Sequence, residues 1–171
     1  YRPELVYAYE NGLVNGTTAN TFSPNAIVTR AQVVTVLYRM AGSPQFTAPS
    51  TPSFSDVPTT HPFYKEIEWM KARGITTGWS DGTFRPNDAL TRAQAAVMLC
   101  AFAAFTQDDV TARADLSAYS DAGQIPSWAM DAMQWANARQ LIIGRDSAHL
   151  APVAATTRAE MASILSAYIR K

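Results

Sequence analysis

GITTGWSDGTFRPNDALTRAQ, residues 74–94, has two counterparts in the same chain: GLVNGTTANTFSPNAIVTRAQ at 12–32 and QLIIGRDSAHLAPVAATTRAE at 140–160. The three align without a gap. The second glycine (Gly16, Gly78, Gly144) precedes an arginine (Arg30, Arg92, Arg158) by fourteen residues each time. An aromatic residue (Tyr7, Trp69, Trp135) stands five residues before the first glycine position, which Gly12 and Gly74 fill and Gln140 takes in the third copy. Self-similarity of this kind marks a repeat protein.

The units extend upstream of the aligned block. The second opens with Phe54-Ser55-Asp56-Val57 and the third with Tyr119-Ser120-Asp121-Ala122. The equivalent of this opening in the first unit would fall before Tyr1, so the first repeat is expected to lack it. The boundaries read as repeat 1 over 1–46, repeat 2 over 52–105 and repeat 3 over 117–171, together one module. Two stretches between them read as linkers: 42–53, rich in Pro and Ser, and 106–117, which is polar.

Within a unit the pattern is helix, loop, helix. Residues 62–73 and 127–139 carry apolar residues at helical spacing (Phe63, Ile67, Met70; Ala129, Met133, Ala136) and end near the first glycine position, where a helix C-terminus favours glycine. A loop with one proline (Pro24, Pro86, Pro152) follows. The second helix then starts at Thr29, Thr91 or Thr157, each the first residue of a capping box completed by Gln32, Gln94 or Glu160. The second helices are apolar over a wide arc, for example Val33, Val34 and Leu37, or Met161, Ala162 and Leu165. One such helix cannot bury that face alone; three can do so together. The sequence therefore predicts one all-α body with pseudo-threefold symmetry that unfolds as a unit.

Several function classes drop out on composition. The 14 basic residues balance the 14 acidic ones, so there is no basic footprint for nucleic acid. No apolar run is long enough for a membrane span. Cys100 stands alone, which excludes an intramolecular disulfide and reads as a structural thiol. The carboxylate pairs do not suit acid–base work: Asp108 and Asp109 lie in a linker, and Glu66 and Glu68 are two apart on a helix. His61 and His149 sit in different repeats without further ligands, and Asp81-Gly82 lacks the alternation of a calcium loop. The chain reads as a non-enzyme with no cofactor and no metal.

Arg30, Arg92 and Arg158 each occupy the first helical position, where the helix end carries about +0.5 charge and a cation is disfavoured by roughly 0.3–1 kcal/mol. The same costly choice three times asks for a reason. One is an anionic ligand, on which free N–H groups and a planar guanidinium converge. The other is pairing with an acid of a neighbouring repeat, for which Asp56 and Asp121 are candidates. The two can coexist. On the ligand reading, removing the arginine leaves stability unchanged or raised. Trp79, just after Gly78, either stacks on a sugar face or packs on a neighbouring prong. Trp69 and Trp135 read as core, while Trp128 suits either role.

With these motifs in place — the Phe-Ser-Asp-Val opening, the Gly-Ile-Thr-Thr-Gly turn, the Asp81–Asn87 loop and the Thr-Arg-Ala-Gln/Glu starts — the chain resembles the S-layer homology (SLH) domain, in three copies over essentially its whole length. That resemblance implies a three-pronged helical spindle around a shared helical bundle. It also implies a wall-anchoring module of an exported bacterial protein, located at the cell surface. The ligand it implies is secondary cell-wall polysaccharide, often bearing pyruvyl ketals whose carboxylate the motif arginine reads. The candidate ligand residues are Arg30, Arg92 and Arg158 with Thr29, Thr91, Thr157, Gly16, Gly78, Gly144 and Trp79. Gln32, Gln94, Glu160, Asp56 and Asp121 are expected to hold the frame. The partner is an anionic, peptidoglycan-linked glycan, and the module is expected to be monomeric. The alternative is a protein–protein or self-assembly module of a surface layer. Repeat 2 keeps the full loop, so the Arg92 groove is expected to bind most strongly. Repeat 3, with its altered loop, Gln140 and Arg145, is expected to bind least.

Overall fold

A computed structural model describes residues 2–12 and 14–170. It contains six α-helices: α1 (Arg2–Glu10), α2 (Arg30–Met40), α3 (Tyr64–Ala72), α4 (Arg92–Phe105), α5 (Met130–Ala138) and α6 (Arg158–Ile169). Two short 3-10 turns, Ala122–Gln124 and Ser127–Ala129, precede α5. Among the described residues β pairing is limited to isolated bridges, so the fold is all-α.

The second helices start where the capping boxes place them. Thr29, Thr91 and Thr157 each accept the N–H of the residue three further on, and the side chain of that residue reaches back to the threonine N–H. The first-helix ends show what the glycine position requires. Gly12 and Gly74 have φ of +66° and +70°, and Gln140 adopts +57° at the same place. A residue with a Cβ pays for that geometry by roughly 1 kcal/mol, so the exception in repeat 3 is a real cost.

The chain forms two compact units, one of residues 29–89 and one of residues 1–28 with 90–171. In the 29–89 unit α2 packs on α3. Tyr38 meets Trp69 edge-on at 5.3 Å, and Trp69 and Met70 are fully buried. In the other unit α4 packs on α5 and α6 packs on α1. Every pair thus joins the second helix of one repeat to the first helix of the following repeat, with the last repeat closing on the first. Within each unit the second helix is thus covered by the first helix of the following repeat. An isolated repeat 2 would keep α3 and α4 but lose the partner of each.

A ring of main-chain bonds ties the repeats in the larger unit. The Val28 N–H donates to the Thr156 carbonyl at 3.0 Å, Thr156 to Leu90 at 2.8 Å, and Leu90 to Val28 at 3.0 Å. All three residues are buried, and each stands one residue before a capping threonine. Three backbone groups that would be costly to bury unpaired are satisfied by one another.

The two linkers are straps rather than free spacers. Ser53 donates its N–H and hydroxyl to the buried Glu68 carboxylate at 2.8 and 2.7 Å, and the Tyr64 hydroxyl donates to the Pro49 carbonyl at 2.7 Å. At the second linker the fully buried Trp135 donates its indole N–H to the Asp109 carbonyl at 3.1 Å. Glu68 takes its acidic character to a structural task.

Candidate anion-binding site

Each motif arginine lies against the loop of the following repeat. Arg30 Nε donates to the Phe84 carbonyl, Arg92 Nε to Leu150 and Arg158 Nε to Phe22, all at 2.8 Å. The helix starts use the same loops. The N–H groups of Arg30 and Ala31 reach the Asp88 and Pro86 carbonyls; those of Arg92 and Ala93 reach Ala154 and Pro152; those of Arg158 and Ala159 reach Ala26 and Pro24. The first free N–H groups of each helix, which an anion was expected to share, are therefore taken by protein. The cationic position is tolerated because every arginine also meets a carbonyl dipole. Its removal would strip a bond from a buried loop, so the expectation of unchanged stability does not survive this geometry.

The loops that receive the arginines are held from behind by the opening aspartates. Asp56 accepts the N–H of Phe84 at 2.8 Å and of Arg85 at 2.7 Å; Asp121 accepts Leu150 at 2.9 Å and Ala151 at 2.7 Å. Arg85 and Ala151 have φ of +60° and +52°, so the carboxylate pins a residue in a disfavoured conformation. Burial pushes the Asp121 carboxyl up, but the N–H bonds outweigh it and hold the group below the usual carboxylate range. Neither aspartate makes an ion pair with a motif arginine; both serve their own repeat's loop. The second glycines are steric: a Cβ on Gly78 would lie 2.3 Å from Phe54 Cε1, and one on Gly144 would lie 2.3 Å from the Asp146 carbonyl oxygen. Gly16 is likewise closed by the Thr18 carbonyl oxygen at 2.4 Å. Gly78, Gly144 and Gly16 thus shape the turn. The capping threonines spend their oxygen on the helix and retain a hydroxyl proton to donate.

The three arginines differ in what remains of the guanidinium. Arg92 is 4% exposed and Arg30 5%. Arg92 donates Nη2 to the Ile143 carbonyl at 2.5 Å and Nη1 to the Glu160 carboxylate at 3.3 Å. Arg158 is less buried, donates Nη2 to the Asn15 carbonyl and lies 4.6 Å from the Phe22 ring centre. Arg30 lies 4.7 Å from the Phe84 ring and 5.7 Å from the Trp79 ring, and among the described residues no acceptor meets its Nη1 or Nη2. Burial lowers its pKa, opposed by the nearby Asp88 and reinforced by Arg85, yet a guanidinium stays charged at any working pH. Arg85 also stacks on the Trp79 ring, at 4.2 Å, and is held by Asp81 at 2.9 Å. Trp79 thus belongs with Arg30, whereas the sequence ranking paired the repeat 2 loop with Arg92. Arg85 was missed as a site residue; its spacing of four from Asp81 was the available signal.

The S-layer homology domain profile matches residues 1–34, 53–96 and 118–162. The chain belongs to the SLH domain family. Its SLH repeats also align with curated proteins: an "Endoglucanase" of Bacillus sp. (strain KSM-635), 31% identical over 99% of this chain, and the "Surface-layer 125 kDa protein" of Lysinibacillus sphaericus, 28% identical over 97%. A "Cellulosome-anchoring protein" of Acetivibrio thermocellus is 30% identical over 56% of the chain. The chain spans 18%, 14% and 22% of those proteins, so the likeness is to their SLH part. Among the described residues no helix is long and apolar enough to cross a membrane.

Proposed function

We propose that this SLH module anchors its parent protein to the bacterial cell wall by holding an acidic wall polysaccharide, without catalysis. The observation that carries the reading is the Arg30 side chain: deeply buried, gripped through Nε, and left with two Nη nitrogens that no described residue accepts. A carboxylate approaching the fork satisfies both nitrogens at once. A pyruvyl ketal on a sugar supplies such a carboxylate, and Trp79, whose ring both Arg30 and Arg85 approach, lies beside the fork. The names of the surface-layer and cellulosome-anchoring relatives support a surface role for the parent protein.

One observation favours the self-assembly alternative: all three arginines also stitch one repeat to the next. Co-sedimentation of the 171-residue chain with purified walls, before and after removal of the acidic wall substituents, separates the readings. Anchoring predicts binding that falls with the acid groups. Binding that ignores them, or wall-independent oligomers in light scattering, would sink it.

A further inference from the structure

Repeat 3 contains a carboxylate where the others carry an amide. Glu160 fills the capping-box position that Gln32 and Gln94 hold, and Oε2 still accepts the Thr157 N–H at 2.8 Å. Two arginines converge on the rest of it. Arg145 grips both oxygens, Nε to Oε1 at 2.8 Å and Nη2 to Oε2 at 3.1 Å, while Arg92 Nη1 reaches Oε1 at 3.3 Å. Arg145 stands in the loop where repeat 1 has Thr17 and repeat 2 has Trp79, and it also donates to the Ala155 carbonyl at 2.8 Å. The arrangement is a bidentate arginine fork on a carboxylate, with a second arginine alongside, nine-tenths buried at Glu160 and Arg92. A ligand carboxylate at Arg30 would meet the same kind of donor.

We infer that Glu160 is a built-in carboxylate that closes the Arg92 groove, so that the groove takes no external anion while Glu160 remains, and becomes a two-arginine carboxylate site when Glu160 loses its charge. The inference rests on the proposed role of the motif arginines in reading carboxylates. The covering loop agrees with it. Ile143 and Val153 are 56% and 55% exposed at positions that carry Asn15 and Thr77, and Asn25 and Asn87, in the other repeats. A groove walled this way presents fewer polar partners to a sugar.

The test uses the whole chain and acetate as the probe. Arginine Nε–H signals in nitrogen-15 NMR spectra, assigned by Arg30→Lys and Arg92→Lys, are followed as acetate replaces chloride at constant ionic strength. In the wild type the Arg30 signal should shift and the Arg92 signal should stay. In Glu160→Gln, which keeps the capping box as Gln32 and Gln94 do, and in Glu160→Ala, the Arg92 signal should shift saturably. The affinity gain should be about tenfold or more over the wild type, the worth of one charge-assisted bond. An Arg92 signal that responds equally in wild type and variants overturns the inference, as does one silent in both variants. If a variant is folded but too unstable for the titration, the readout becomes its denaturant midpoint: a rise with acetate beyond that of the wild type supports the closed groove, and no rise overturns it. A silent Arg30 signal would count against the anchoring reading, while the Arg92 response in the Glu160 variants decides this one separately.

Discussion

Replacing Arg30 by alanine and by lysine separates its two tasks. In Arg30→Ala the Phe84 carbonyl loses its partner inside a buried loop, at a cost of about 1–3 kcal/mol. The lost contact with the Phe84 ring adds about 0.5–1 kcal/mol, and removing a cation from the α2 start returns roughly 0.3–1 kcal/mol. The balance is a destabilisation of about 2 kcal/mol, or about 4–8 °C in Tm for a chain of this size. Arg30→Lys keeps the charge and can meet one carbonyl but cannot offer a fork. Its melting temperature should fall less, while its affinity for wall polymer falls by roughly tenfold or more, one charge-assisted bond being about 1.5–3 kcal/mol. Differential scanning calorimetry and wall co-sedimentation below the transition give both quantities on the same samples. Variants that melt early but bind like the wild type while folded would refute the anion-site reasoning and leave Arg30 as a stitch alone.

Asp121→Asn should destabilise by about 1–3 kcal/mol in chemical unfolding, because an amide cannot accept both the Leu150 and Ala151 N–H groups. The sign with pH follows from a folded carboxyl held below its ordinary value: the stabilisation is present above the unfolded pKa of about 3.9 and disappears as pH falls through the lower folded one. The wild type should therefore lose more stability on acidification than Asp121→Asn, and parallel pH profiles would contradict the clamp. Asp81 is held down to about 2, first by the Thr83 hydroxyl and then by Arg85. Acid should release Arg85 from Asp81 only as pH approaches that value, and the Trp79 indole N–H signal should move there; movement near pH ~4 would show that the loop contacts are weaker than drawn.

The helix starts were legible because capping chemistry is local. Thr29, Thr91 and Thr157 announce themselves with Gln32, Gln94 and Glu160 three residues on, and each box forms. Trp69 and Trp135 were legible as core because their positions repeat on the buried side of a helix, and both are fully buried. The straps were not. Pro and Ser composition marks 42–53 as irregular chain, but says nothing of the Glu68 carboxylate that ties Ser53 down from fifteen residues away. The aspartates of the openings were placed as frame residues without their partners, since the N–H groups they accept lie 28–30 residues further on.

The partner of each arginine was hidden for a different reason. A repeat pattern is unchanged when every contact is shifted by one period, so the sequence of a unit reads the same whether its arginine meets its own loop or the next. Chain geometry chooses the next one. The arginine opens the second helix, and that helix packs on the first helix of the following repeat, whose loop follows directly: α4 on α5, then Arg92 against Leu150 and Ile143. In the 29–89 unit the same logic carries α2 onto α3 and Arg30 onto Phe84 and Trp79. The unit that looks most complete in sequence therefore lends its loop to the arginine before it. The unit with the altered loop sets Arg145 and Glu160 against Arg92. On the proposed reading, which groove can take a ligand is decided by such pairs across the repeat boundary, and no single repeat, however well it matches the pattern, specifies one alone.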